Sequence, residues 1–213
     1  MQYGNNGSLL SYLDQNINKL TWLDKLQHLK DIIYCLRVIH GAGLVHCDLH
    51  DGNIVLNNDD GKLQSLICDL SLSRSVNSHV SNSNIRDVSL FTAPEVFHTR
   101  RFTQKSDVYS FGIIMYLMAT GEPPFRDRQF DANLMREIMD GLRPTMPDSA
   151  PEEYKKLAER CCDADPDKRP KDGKALYDDM NELIERVESG NSGNGAWHTI
   201  YHTDVNPLSR LVK

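Results

Sequence analysis

The chain has 213 residues, of which 39% are hydrophobic and 25% charged, and its formal net charge is -6. This composition suits one globular domain long enough to bury a real core. The acidic balance argues against general binding to nucleic acid or to an anionic membrane.

The opening residues, Met1-Gln2-Tyr3-Gly4, lack a basic segment followed by an apolar one, so no signal peptide is expected. Ser8 to Leu13 begins a short helix. Thr21 stands three residues before Asp24 and ahead of Leu23, Leu26, Leu29, Ile33 and Leu36. That pattern predicts a capped amphipathic helix ending at Gly41-Ala42-Gly43. Extended pieces follow at Ile54–Leu56 and Leu63–Cys68, joined by a turn over Asn58–Gly61. Ser71 to Asn84 is rich in Ser and Asn, nearly without apolar residues, and is expected to be mobile. The longest apolar run, Val108 to Ala119, is too short to span a bilayer and predicts a buried helix opening at Ser106-Asp107 and stopped by Gly121-Glu122-Pro123-Pro124. Three more helices are expected, over Asp131–Met139, Glu152–Cys162 and Asp172–Val187. Ser189 to Gly195 reads as a linker, with a tail to Lys213.

Five cysteines, Cys35, Cys47, Cys68, Cys161 and Cys162, show neither a CxxC pair nor a zinc-ligand spacing. A reducing compartment is expected, cytoplasmic with a nuclear location also open.

The stretch Val45 to Leu56, VHCDLHDGNIVL, puts His46, Asp48, His50, Asp51 and Asn53 between apolar ends. Asp69 closes the apolar run Leu66-Ile67-Cys68. A tight loop between two short strands can aim Asp48, Asn53 and Asp69 at one point. Asp and Asn oxygens suit Mg²⁺, which takes few protein ligands and completes its shell with water and phosphate. An aspartate left over can orient a hydroxyl for in-line attack on phosphorus.

HCDLHDGNIVL resembles the catalytic loop of eukaryotic-type protein kinases. CDLS at Cys68–Ser71 is similar to that family's metal-binding Asp-Phe-Gly stretch, and FTAPEV at Phe91–Val96 to its Ala-Pro-Glu motif. SDVYSFGIIMYLMATGEPPF, from Ser106, resembles its central helix, and CCDADPDKRP at Cys161–Pro170 its late Asp-Pro-x-x-Arg-Pro segment. These motifs stand in family order and cover residues 1–188.

The resemblance implies a mainly α fold: a kinase-like C-terminal lobe, with helices around a buried central helix and a small β region at the catalytic loop. Residues 1–188 would run from hinge to final helix, with 189–213 as linker and tail. It implies ATP and Mg²⁺ as cofactors and a protein substrate, Ser/Thr favoured over Tyr. Asp48 resembles the catalytic base, and Asn53 and Asp69 the two Mg²⁺ ligands. MQYGNNGSL resembles the hinge, with Met1 as gatekeeper, backbone groups of Gln2 and Gly4 on adenine, Ser8 near ribose and Val55 as apolar floor. Asp107 would brace the loop, and Glu95 would pair with Arg169.

Four positions depart from the pattern. Cys47 replaces the arginine that pairs with a phosphorylated activation segment, Ser71 the glycine after Asp69, and Val88 a threonine. His50 stands where Ser/Thr kinases place a lysine near the transferred phosphate; anionic neighbours should raise its pKa, and as a catalytic residue its protonated ring would replace the lysine charge. The expected upper lobe, with its Gly-rich loop, phosphate-binding lysine and partner glutamate, would have to come from outside this chain. Three readings therefore stand: a kinase domain represented by its lower lobe, a scaffolding pseudokinase, and a truncated product without independent activity.

Overall fold

The computed structural model describes residues 7–59, 61–76, 89–189 and 197. Met1, Gln2, Gly4 and Val88 lie outside the described residues. Helix α1 (Leu9–Asn16) starts at Ser8, whose hydroxyl accepts the Ser11 N–H at 3.4 Å. Helix α2 (Trp22–Gly41) opens on a reciprocal cap. Thr21 Oγ1 accepts the Asp24 N–H at 3.1 Å, and Asp24 Oδ2 accepts the Thr21 N–H at 2.8 Å. Caps of this kind contribute about 1 kcal/mol. Leu26, Leu29, Ile33 and Leu36 are fully buried on its inner face.

After α2 the chain passes through β1 (Leu44–Val45) into the polar loop and then the hairpin β2 (Ile54–Asp59) and β3 (Lys62–Ile67). The hairpin is antiparallel, with Ile54 opposite Ile67. Strand β4 (Arg74–Ser75) pairs antiparallel with β1. It lies in the Ser/Asn-rich loop, so the first part of that loop is tethered to the strand before His46. Residues 77–88 lie outside the described set.

Helix α3 (Pro94–Thr99) carries Pro at its first position, where no N–H is needed. Helix α4 (Gln104–Thr120) is buried all round. It begins two residues earlier than the apolar run suggests. Thr103 supplies the cap, exchanging bonds with Ser106 in both directions. Helices α5 (Ala132–Met139), α6 (Glu152–Cys161) and α7 (Gly173–Glu188) follow, with α6 and α7 packed against α4 and α5 against α3. At Gly112 the end of α6 lies close against α4: a Cβ there would collide with Cys162 Sγ and lie 2.9 Å from Cys161 Cβ. Trp197 is 3% exposed and belongs to the hydrophobic core. At least one residue of the stretch read as linker and tail is therefore packed.

The lower helices are fixed by an ion pair. Arg169 Nη1 and Nη2 each donate to Glu95 at 2.8 Å, Nε donates to Asp163 O at 2.8 Å, and Nη1 to Lys105 O at 3.1 Å. The Arg169 side chain is 0% exposed and that of Glu95 19%, so water screens this pair little. No helix among the described residues is long and apolar enough to cross a membrane.

Candidate active site

The polar loop is held from beneath by Asp107, on the first turn of α4. Its Oδ2 accepts the His46 N–H at 2.7 Å and its Oδ1 the Cys47 N–H at 3.1 Å. His40 Nε2 lies 2.9 Å from the same Oδ2, while His40 Nδ1 accepts the Gly173 N–H at 2.9 Å. The proton of His40 therefore sits on Nε2, and one imidazole ties α2 and α7 to Asp107. The two amides captured by Asp107 also explain the backbone at Cys47, whose φ is 72°. That left-handed conformation costs a non-glycine residue ~1–3 kcal/mol unless its surroundings enforce it. Burial, then the Asp107 charge, pushes the Cys47 thiol up to about 12, so it remains a neutral thiol.

His46 is fully buried. Its Nδ1 accepts the Asp48 N–H at 3.3 Å and its Nε2 faces Cys68 O at 3.3 Å. It thereby ties the loop to the end of β3, just before Asp69. The turn Asp51–Asn53 then brings Asn53 back onto Asp48. Asn53 Nδ2 donates to Asp48 O at 2.9 Å and to Asp48 Oδ2 at 3.2 Å. His50 Nε2 lies 3.5 Å from that same Oδ2. The hydrogen bond with Asp48 is the main cause raising the His50 pKa; the charges of Asp48, Asp51 and Asp69 add to it and burial opposes it. The rise has the direction expected from the sequence.

Asp69 arrives from the other strand. Cys68 N–H donates to Asn53 O at 2.9 Å, which extends the hairpin ladder by one pair and sets Asn53 and Asp69 at its end. Asp69 is exposed with φ 57°, and its Oδ1 accepts the Ser71 N–H at 3.1 Å. Hydrogen bonds from the Ser71 side chain, then its backbone, hold the Asp69 carboxyl below the usual range. Serine in place of glycine is thus accommodated: the left-handed residue is Asp69, and Ser71 ties its carboxylate.

The structure also brings Ser8 beside Val55 through an antiparallel bridge, supported by a Leu56 N–H to Gly7 O bond of 3.1 Å. A crevice next to Asp48 is lined by Ser89, Phe91, Thr92, Phe102 and Ser110. Two larger hollows, each about 280 Å³, lie elsewhere, one between α4 and α6 and one beside His28 and Asp31. Neither contains a candidate residue. His40 was not foreseen from sequence; the available signal was a histidine continuing the buried face of Leu36 and Ile39 in the last turn of α2.

Comparison with known proteins follows the same outline. The sequence profile of the family "Protein tyrosine and serine/threonine kinase" matches residues 1–177, and the chain belongs to that protein kinase family. The mainly helical architecture is accordingly kinase-like. Among curated relatives, the chain is 33% identical over 177 residues to the cyclic GMP-binding protein C of Dictyostelium discoideum, covering 80% of this chain and 7% of that protein. It is 30% identical to the RGS domain-containing serine/threonine-protein kinase A of the same organism, covering 79% of this chain and 15% of the relative. A putative serine/threonine-protein kinase/receptor, R831, of Acanthamoeba polyphaga mimivirus is 29% identical, covering 87% of this chain and 11% of the relative. The chain thus spans 7–15% of the length of these three proteins.

Proposed function

We propose that this chain is the helical lower lobe of an ATP-dependent protein kinase, with Asp48 as the base for the acceptor hydroxyl. What supports this reading is that Asn53 is bonded to Asp48 and that the Cys68 N–H to Asn53 O bond sets Asp69 at the same end of the β2–β3 hairpin. Asn53 spends its Nδ2 on Asp48, and no donor among the described residues reaches its Oδ1. That leaves one amide oxygen and the Asp69 carboxylate, an all-oxygen pair that suits a hard cation such as Mg²⁺. When bound there, Mg²⁺ supplies neutralisation of the phosphate charge.

The chain's own groups then have distinct tasks. Asp48 orients the acceptor hydroxyl and takes its proton as the oxygen bonds to the γ-phosphorus; the bond from that phosphorus to the β–γ bridging oxygen breaks and ADP leaves. Asp107 holds the loop rigid through two amides. Ser8 and Val55 would line the nucleotide side, and the hinge role that the resemblance gives Met1, Gln2 and Gly4 falls on residues outside the described set. A Gly-rich upper lobe with a phosphate-binding lysine completes the cleft. A serine or threonine acceptor is favoured by the names of the relatives that are called serine/threonine kinases. The five cysteines, all unbridged, support a reducing setting in cytoplasm or nucleus.

Titration of the 213-residue chain with Mn²⁺·ATP, followed by nuclear magnetic resonance, tests the site. Paramagnetic broadening centred on Asn53 and Asp69, and lost in Asn53→Ala and Asp69→Ala, is expected. Broadening elsewhere, or unchanged in both variants, would contradict the assignment.

A further inference from the structure

The imidazole of His50 is held on two sides. The Gly52 N–H donates to its Nδ1 at 3.0 Å, so Nδ1 carries the lone pair and the ring proton sits on Nε2. Nε2 faces Asp48 Oδ2 at 3.5 Å. Gly52 leaves room for this placement, since a Cβ there would sit 2.8 Å from the ring Cε1 and 3.0 Å from Nδ1. The Phe91 ring lies 6.3 Å away in a tilted arrangement, and the His50 side chain is 29% exposed.

Two nitrogens therefore face one oxygen, Asp48 Oδ2: Asn53 Nδ2 in a hydrogen bond at 3.2 Å and His50 Nε2 in a longer contact. No donor among the described residues reaches Asp48 Oδ1. We infer that His50 is a positioning residue: as a neutral Nε2–H donor it fixes Oδ2 of Asp48 together with Asn53. Oδ1 is left to take the proton of the acceptor hydroxyl, and Gly52 holds the imidazole in the tautomer this requires. The assignment of Oδ1 rests on the proposed phosphotransfer reading; the clamp of Gly52, His50 and Asp48 does not.

This role differs from that of a lysine. A lysine at this place would bring a permanent positive charge. His50 can become charged only by placing a second proton on Nδ1, directly against the Gly52 N–H. Asp48, Asp51 and Asp69 draw a proton towards the ring, and the Gly52 bond resists it. The geometry described belongs to the neutral ring.

Ring-nitrogen spectra of the full chain with ¹⁵N-labelled histidine decide the matter. At a pH well above its raised transition, the wild type is expected to show the neutral His50 ring with its proton on Nε2. Gly52→Ala should shift the ring to the Nδ1–H tautomer or a mixture. Asp48→Asn should keep the tautomer but move the Nε2–H proton resonance upfield, because an amide oxygen accepts more weakly than a carboxylate. An Nδ1–H tautomer in the wild type, an unchanged spectrum in Gly52→Ala, or an unmoved Nε2–H in Asp48→Asn would each overturn the inference. If Gly52→Ala fails to fold, the wild-type and Asp48→Asn spectra still decide. Failure of phosphotransfer would sink the proposed function while leaving these spectra as they are.

Discussion

Glu95→Ala is the substitution whose cost the structure defines best. Glu95 accepts two hydrogen bonds of 2.8 Å from Arg169, whose side chain is 0% exposed. Hydrogen bonds to charged groups contribute ~1.5–3 kcal/mol each. Losing both while leaving a guanidinium in the interior agrees with the ~3–5 kcal/mol typical of a broken buried pair. Arg169 keeps its bonds to Asp163 O and Lys105 O and its place over the Tyr109 ring, so the loss should not exceed that range. At ~2–4 °C per kcal/mol for a domain of this size, the melting temperature should fall by roughly 6–20 °C. Glu95→Gln keeps one acceptor and should cost about half as much in free energy. Urea denaturation with hydrogen exchange of α3 and α4 measures both. Added salt should reduce the difference only slightly, because Arg169 is wholly buried and Glu95 largely so. A loss below about 1 kcal/mol for Glu95→Ala would show that the pair is not a structural tie.

Asp107→Asn places an amide N–H₂ against the N–H groups of His46, Cys47 or His40, and should destabilise the domain by ~2–4 kcal/mol in urea denaturation; a change under about 1 kcal/mol would contradict the brace. His28 is buried against Ser65, with Nδ1 2.9 Å from its hydroxyl, and burial lowers its pKa against the opposing charges of Asp31 and Asp24. The unfolded chain therefore takes up a proton first as pH falls through ~6.5. The stability contributed by neutral His28 is complete above that pH and declines below it. His28→Gln should flatten this decline in denaturation midpoints measured from pH 8 to pH 5.5, and an unaltered slope would count against it.

The elements legible in the sequence are those whose signals are local. The Thr21–Asp24 cap, the spacing of Leu26, Leu29, Ile33 and Leu36, and the turn at Asn58–Gly61 specify α2 and the hairpin without reference to distant residues. Helix α4 starts two residues before Ser106, where the sequence pattern opens it, because Ser106 is the partner of the Thr103 cap and not the cap itself. Helix α3 is six residues long, too short to show a period, and β1–β4 joins two-residue strands 30 positions apart. The polar loop was recognised by resemblance as a set. Its internal wiring was not legible: that Asn53 and His50 both face Oδ2 of Asp48, that Ser71 ties Asp69, and that His40 joins Asp107 to α7 are properties of side chains brought together by folding.

The central claim is that Asp48 serves phosphoryl transfer, and transfer itself tests it most directly. These 213 residues, joined to a Gly-rich strand pair with a phosphate-binding lysine, are incubated with γ-labelled ATP, Mg²⁺ and a protein rich in serine and threonine. Label should enter the acceptor protein, and Asp48→Asn should slow transfer by ~10²–10⁴-fold, the range of a lost general base, with nucleotide affinity little changed. Equal rates for the two proteins, or no transfer from the wild type while it binds Mg²⁺·ATP, would contradict the assignment.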